Sequence, residues 1–311
     1  MTDEWIKVSA PATTSNIGPG YDVFGLALKE PHDIIEARRT DSPGVTISGI
    51  TGNGSGSIPL DSAKNSAAIA AEAVLERCGA EFGIELRITK GIRPGSGIGS
   101  SGASAAGGAF AANILCDGKL TKQETVLCAA HAEDVTSGGL HADNVAPCIL
   151  GGFTVIRSYE PFEVISIDPP ADLGVVLALP DVTVYTADSR KVVPREVPIR
   201  DLTYQVGNAS ALVYAMVTGD LGLIGRSVKD IIVEPARTHL VPLLKQAEDT
   251  AMSHGALTSF LGGSGPCVIT FYNKKTHDGG IIAAAIADLY DKNGIGCETW
   301  ITECGEGCRR I

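Results

Sequence analysis

The run "RPGSGIGSSGAS", residues 93 to 104, sets the tightest limit on what this chain can fold into. It follows "GIELRITKGI", which alternates like a strand, and leads into "SSGASAAGGAFAANIL", a small-residue stretch of helix length. Small residues let a backbone pass close to a ligand and adopt positive φ where a turn needs it. A helix opening near Ser100 leaves its first N–H groups without intrahelical partners, at an end carrying about half a positive charge. Strand, glycine loop and helix N-terminus in that order make an anion site, and a phosphate is the expected anion. The run lacks the lysine of a P-loop. Ser100 and Ser101 offer hydroxyls instead, one for a phosphate oxygen and one for Mg2+. The bland alternative is a connection whose helix packs tightly through its alanines.

The rest of the chain reads as an irregular mixture of strands and helices. "WIKVSAPA", "GLALKEPHDIIEARR" and "VTISGI" have strand composition, and "TGNGSGS" is a loop. "NSAAIAAEAVLERCG" has helical spacing and a glycine stop, and Thr121 with Glu124 forms a capping box that opens a helix running to about Asp134. "VAPCILGGFTVIRS" reads as a short helix, a glycine turn and a strand. Past about residue 165 come the strands "EVISI" and "LGVVLALP", helices over roughly 200 to 254, and the hairpin "LTSFLGGSGPCVITFY". A helix near 276 to 292 and a last strand, "CETWITE", close the series. This order predicts an α+β protein, not a doubly wound parallel sheet. At 311 residues the chain suits two domains around one cleft, placed here at 1–165 and 166–311.

Composition excludes several partners. A formal charge of −11 argues against nucleic acid, because phosphate-backbone binding needs clustered Lys and Arg. No run approaches 18 apolar residues and "MTDEWIKVSA" is no signal peptide, so no membrane partner and a cytoplasmic location are expected. Most of the eight cysteines sit in apolar runs, the placement of reduced core thiols. Cys304 and Cys308 share the tail "TECGEGCRRI", but no second pair or neighbouring histidine completes a metal site.

Two further glycine runs flank the central one: "SNIGPGYD" (15 to 22), bracketed by Asn16 and Asp22, and "GGSGPC" (262 to 267), which alone is turn chemistry. The ordered set "SAPATTSNIGPGYDVFGLAL", "PGSGIGSSGAS" and "GGSGPC" resembles the GHMP kinase superfamily of small-molecule kinases. The first motif and "HADNVAPCILGG" resemble its homoserine kinase branch, over nearly the whole chain. The resemblance implies an N-terminal domain like domain 2 of ribosomal protein S5 and a ferredoxin-like C-terminal domain. It also implies ATP and Mg2+ as cofactors, L-homoserine as the small-molecule partner, and a step of threonine biosynthesis. It leaves a homodimer open.

Carried over residue by residue, the resemblance implies that Pro94, Gly95, Ser96, Gly97, Ile98, Gly99, Ser100 and Ser101 wrap the ATP phosphates. Ser101 and Glu133 would hold Mg2+. Asn65, in "AKNSA", would lie beside the adenine; read by itself it is equally a helix N-cap. Arg190 and Arg237 would take the substrate carboxylate, for which the arginine fork suits. Asp22, with Asn16 nearby, would take the ammonium, and Thr186, His141 and Asp143 would complete the pocket. Asn144 stands where many superfamily members place an aspartate base. An amide accepts no proton at neutral pH, so positioning would carry the chemistry and the proton could pass to the γ-phosphate.

Departures from the family pattern are a Thr and a Tyr in "TTSNIGPGYD" and the residues between arginine and proline in "SRKVVP". None removes a proposed ligand. The competing readings are another GHMP kinase, acting on mevalonate, a sugar or shikimate, and a catalytically silent nucleotide-binding protein. The set Asp22, Arg190 and Arg237 discriminates against the first. Ser101 and Glu133 discriminate against the second.

Overall fold

The computed structural model describes residues 4–137 and 139–311. Eleven strands and ten helices follow in sequence among these residues. The first part holds β1 (Ile6–Ser15), β2 (Phe24–Thr40), β3 (Val45–Gly52), α1 (Ser66–Cys78), β4 (Gly83–Lys90), α2 (Ser100–Leu115), α3 (Lys122–Ser137), α4 (Val145–Leu150), β5 (Phe153–Tyr159) and β6 (Phe162–Ile167). Then come β7 (Leu173–Pro180), α5 (Thr186–Lys191), α6 (Ile199–Thr218), α7 (Leu221–Ser227), α8 (Val233–Arg237) and α9 (Leu244–Ser253). β8 (Thr258–Leu261), β9 (Val268–Asn273), α10 (Gly279–Lys292), β10 (Cys297–Glu303) and β11 (Arg309–Arg310) complete the chain. The architecture is the expected α+β mixture. Not anticipated are the six-residue α5 and β11, which pairs antiparallel with β1 and so returns the C-terminus to the first sheet.

The first sheet runs β11-β1-β2-β4-β3, with β5 and β6 joined through the first residues of β2. Helix α2 explains its own composition. Twelve of its sixteen residues are buried, between the sheet and α1. A Cβ at Gly108 would stand 2.2 Å from the Ala67 carbonyl of α1, and one at Gly107 would stand 2.5 Å from Ile35 on β2. Small side chains let the helix lie against both, and interiors this close-packed resent each added methylene. The tight packing fixes where the N-terminus of α2 points. Next to it, the Asn65 side chain caps α1 by accepting from Ala67 N at 3.0 Å, and Gly79 ends that helix at φ 61°. The capping box at Thr121 and Glu124 is present, with Thr121 N donating to Glu124 at 2.9 Å.

The second sheet is antiparallel, β10-β7-β9-β8. All eight residues of β7 are buried, which is why "LGVVLALP" reads as an unbroken apolar run. Successive side chains leave opposite faces. Val175, Leu177 and Leu179 join a core that continues into the first sheet, whereas Val176 and Ala178 pack with Ile282, Ile286 and Tyr290 of α10. The β8–β9 turn, residues 262 to 267, projects from this sheet toward the central glycine loop.

Candidate active site

Seventeen of the eighteen candidate residues line one cavity of about 330 Å3. They are Asn16, Asp22, Asn65, Pro94, Gly95, Ser96, Gly97, Gly99, Ser100, Ser101, Glu133, His141, Asp143, Asn144, Thr186, Arg190 and Arg237. Ile98 does not: its side chain is buried in the core, and its carbonyl accepts from Thr13 N at 3.2 Å. Only its backbone belongs to the loop.

The loop is pinned from both sides. Besides the Thr13 bond, Cys267 N donates to Ser96 O at 3.2 Å, so the first and third glycine motifs both hold the second. Gly97 and Gly99 have φ of 80° and 71°, and no side chain would fit at either. A Cβ on Gly97 would lie 2.6 Å from Gly265 O, and one on Gly99 2.1 Å from Thr13 Oγ1. Gly99 is the N-cap of α2 and supplies no side-chain cap. The first helical bond runs from Ala103 N to Gly99 O, which leaves the N–H groups of Ser100, Ser101 and Gly102 free of intrahelical acceptors. The Ser100 hydroxyl, expected toward a phosphate, turns back to donate to Ile92 O at 2.9 Å. The Ser96 Oγ is buried on the cavity wall without a partner among the described residues.

Ser101 Oγ donates to Glu133 Oε1 at 2.6 Å, bringing a hydroxyl and a carboxylate from α2 and α3 to one point at the helix end. Burial pushes the Glu133 carboxyl up, while the Ser101 hydroxyl and the Lys90 and Arg190 charges draw it down. Two hard oxygen donors beside an anion site fit Mg2+, which binds one or two protein groups and completes its shell with phosphate oxygens and water. Among the described residues no group of three or more His, Cys, Asp or Glu could hold a metal. The tail cysteines lie elsewhere, Cys308 Sγ resting 3.8 Å from Cys148 Sγ in the core.

Sequence reasoning found no lysine in the loop, and the structure supplies one from beneath it. Lys90, the last residue of β4, is buried with Asp33 of β2 as an ion pair. Its Nζ also donates to Ser100 O at 2.9 Å and Ser104 Oγ at 2.8 Å. Asp33 Oδ1 accepts from Gly91 N and Ile92 N, both at 3.0 Å, where the loop leaves the strand. Burial raises Asp33 and lowers Lys90, and each charge opposes the other's shift. The pair fixes both ends of the loop and puts a cation under the phosphate-facing helix end. A lysine closing an alternating strand carries no linear sign of this.

The opposite end of the cavity holds paired charges. Arg190 of α5 donates to Asp22 Oδ1 at 3.2 Å and Oδ2 at 3.3 Å, and to the Tyr21 hydroxyl at 3.1 Å. Its Nε has no hydrogen-bond partner among the described residues. Asn16 and Asp22 stand at φ 70° and 55°, uncommon for residues with side chains but tolerated by Asn and Asp. Asn16 joins two motifs: its Oδ1 accepts from Asp22 N at 3.1 Å, and its Nδ2 donates to Gly263 O at 2.9 Å. Buried Arg237 donates to Gly263 O at 2.9 Å and Ser189 O at 3.0 Å, with its guanidinium 5.4 Å from the centre of the Tyr21 ring. His141 Nδ1 lies 3.6 Å from Asp22, and burial lowers its pKa. Thr186 Oγ1 meets Ser264 Oγ at 3.3 Å. Asp143 is pushed up to about 7 by burial and the Asp22 charge, against a Ser15 hydrogen bond and Arg190.

Asn144 sits between the two ends, against Gly99 and Gly102. Its Oδ1 accepts from Thr13 Oγ1 at 2.9 Å and its Nδ2 donates to Ser15 Oγ at 3.2 Å. The amide orientation is thereby fixed by two hydroxyls of the first motif. Thr13, Ser15, Tyr21, Gly263 and Ser264 were not named as site residues from sequence, although all lie in the quoted motifs.

Comparison with known proteins bears on this geometry. The chain matches "GHMP kinases N terminal domain" over residues 65–152 and "GHMP kinases C terminal" over 212–292. It is 44% identical to a homoserine kinase of Methanococcus maripaludis over 306 residues, 97% of each chain. A crystal structure of homoserine kinase from Cytophaga hutchinsonii superposes with a TM-score of 0.94 at 36% identity, covering 100% of this chain and 99% of that one. L. major mevalonate kinase, solved with R-mevalonate, shares the fold alone: TM-score 0.72 at 16% identity over 96% of each chain. With this identity sustained over nearly its full length, the chain belongs to the homoserine kinase family of GHMP kinases.

Proposed function

We infer that the protein phosphorylates the side-chain hydroxyl of L-homoserine with ATP, giving O-phospho-L-homoserine for threonine biosynthesis. One observation carries the substrate assignment: Asp22 and Arg190 face one wall of the cavity whose other end is the open N-terminus of α2. An amino acid zwitterion replaces their mutual pair with two of its own, ammonium to Asp22 and carboxylate to Arg190, with Arg237 behind. Mevalonate, galactose and shikimate lack the ammonium, so none can replace the Asp22–Arg190 pair with two charge contacts of its own.

In this proposal the residues of the N-terminal part, 1–165, hold the nucleotide, and the part from 166 onward adds the arginines. The free N–H groups of Ser100, Ser101 and Gly102 and the Ser96 hydroxyl bind the phosphates, and Asn65 borders the base beside Ile58 and Pro59. Ser101 and Glu133 would hold Mg2+, which would supply charge neutralisation on the transferring phosphoryl group. Asn144 orients the acceptor hydroxyl and takes no proton. As the hydroxyl oxygen bonds to the γ-phosphorus and the bond to the ADP oxygen breaks, the hydroxyl proton would pass to an oxygen of the transferred phosphoryl group, because a loose transition state needs little early deprotonation. ADP release measured against homoserine, mevalonate, galactose and shikimate tests the assignment. Turnover should be confined to homoserine; preferred turnover of any of the others would overturn it.

A further inference from the structure

Two glutamates meet where the helix that bears Arg237 packs on its neighbour. Glu234 lies in α8, one turn before Arg237, and Glu248 lies in α9. Each carboxyl is within hydrogen-bond reach of the other. Glu234 Oε2 also accepts from Leu261 N at 2.9 Å, where β8 gives way to the glycine turn 262 to 267. The Glu234 N–H donates to Asp230 Oδ2 at 2.9 Å, so a third carboxylate stands at the start of α8. Glu248 is buried, and its Oε2 accepts from Lys245 Nζ at 2.7 Å. Its Oε1 is buried with no donor among the described residues. Two ionised carboxylates only accept and they repel, so contact between them requires a proton. A proton on Glu234 gives Glu248 Oε1 the donor it otherwise lacks and leaves Glu234 Oε2 to Leu261 N. Burial, then the Glu248 charge, push the Glu234 carboxyl up to about 8, with Asp230 adding and the Leu261 amide opposing. Burial raises Glu248 too, against Lys245. The other titratable groups facing the pair are Asp249 of α9 and Tyr290 of α10, whose hydroxyl burial keeps protonated.

We propose that Glu234 and Glu248 are positioning residues for Arg237, sharing one proton that fastens α8 to α9 and to the glycine turn. Arg237 reaches the cleft through this frame. It donates to Gly263 O at 2.9 Å and to Ser189 O at 3.0 Å, and Gly263 lies two residues past Leu261. One carboxyl thus holds the helix that bears the arginine and the turn that the arginine grips. Loss of the proton leaves two adjacent negative charges in a buried site, where their repulsion is weakly screened. α8 then parts from α9 and carries Arg237 with it. The effect on the acceptor rests on the reading of Arg237 as a contact to the substrate carboxylate; the shared proton does not.

Glu234→Gln tests this, because glutamine reproduces the protonated acid at every pH: its Oε1 accepts from Leu261 N and its Nε2 donates to Glu248. The ratio of wild-type to variant KM for homoserine should be near one at pH 7 and rise to roughly tenfold or more by pH 9.5, the value of a charge-assisted pair. Titration of the substrate ammonium cancels in that ratio. A second readout needs no substrate. The folded wild type keeps a proton that the unfolded chain releases near the ordinary 4.5, so this stability is present below 4.5 and lost as the pH rises through about 8. In urea titrations of the ligand-free protein, the folding equilibrium constant of Glu234→Gln relative to wild type should rise by up to about tenfold per pH unit from pH 6 to 8, then level off. Glu248→Gln, whose amide donates to an ionised Glu234, should give both results from the other member of the pair. A KM ratio constant with pH would overturn the positioning role, and a stability gap that does not widen in either variant would overturn the shared proton. Absence of homoserine turnover in wild type would count against the substrate assignment instead, and the ligand-free titration would still decide the proton.

Discussion

Asp143→Asn probes the electrostatics of the acceptor end through a quantity that needs no ligand. In the folded protein the Asp143 carboxyl is pushed up to about 7, whereas its ordinary value is 3.8. The folded state therefore keeps a proton that the unfolded chain releases between those values. Stability from this proton is fully present below pH 3.8, falls as the pH rises, and is gone above about 7. One pKa unit corresponds to about 1.36 kcal/mol. The full interval is then about 4 kcal/mol, of which about 2–3 kcal/mol lies between pH 5 and 7. Asparagine has no proton to lose. In urea titrations of the metal- and ligand-free protein, the stability of Asp143→Asn relative to wild type should rise by about 2–3 kcal/mol from pH 5 to pH 8. Parallel pH profiles, or a gap that narrows as the pH rises, would refute the placement of Asp143 as a buried acid beside Asp22. The same proton should be visible in catalysis. The wild-type KM for homoserine should fall as the pH passes about 7, and that of the variant should not.

The remaining predictions follow from individual contacts. Glu133→Ala should fold normally but lose Mg2+-dependent turnover; changes to groups behind metal ligands cost 10–100-fold, so loss of a ligand should raise the Mg2+ requirement by at least about 100-fold. Arg190→Leu should raise the homoserine KM by roughly 10–150-fold, the value of a charge-assisted pair, with little change in the KM for ATP. Arg237→Leu should affect both substrates, because Arg237 also holds the Gly263 carbonyl in the turn against the phosphate loop. Asn144→Asp should lower kcat. A carboxylate 4–5 Å from the transferring group costs about 3–4 kcal/mol per unit charge at an effective dielectric near 20, before Mg2+ reduces it. A faster variant with a new acidic limb in its pH–rate profile would show a wild-type site short of a base.

What could be read from the sequence was local. α2 begins at Ser100 as expected because a left-handed Gly99 and a run of small residues encode both its start and its buried packing. The capping box at Thr121 and the N-cap at Asn65 are likewise written within four residues of chain. The motif glycines led to the cavity because their φ values are set by their own turns. What escaped was encoded in register. Lys90 becomes the cation beneath the loop only because β2 lies beside β4, with Ile34 opposite Thr89, which brings Asp33 within reach. α5 is too short for its periodicity to show, and β11 has two residues and exists only because β1 offers an edge. The commitment of the Ser100 hydroxyl to Ile92 depends on the same fold-level geometry.

The zwitterion clamp is the central claim, and substrate truncation tests it most directly. kcat/KM should be measured for L-homoserine, for 4-hydroxybutanoate, which lacks the ammonium, and for 3-aminopropan-1-ol, which lacks the carboxylate. All three carry the same primary hydroxyl at the same chain distance. If Asp22 and Arg190 each release the other to hold one charge of the substrate, both truncations leave a charge-assisted contact unmade. Each should lose at least roughly 10–150-fold in kcat/KM. Turnover of 4-hydroxybutanoate as efficient as that of homoserine would contradict the account.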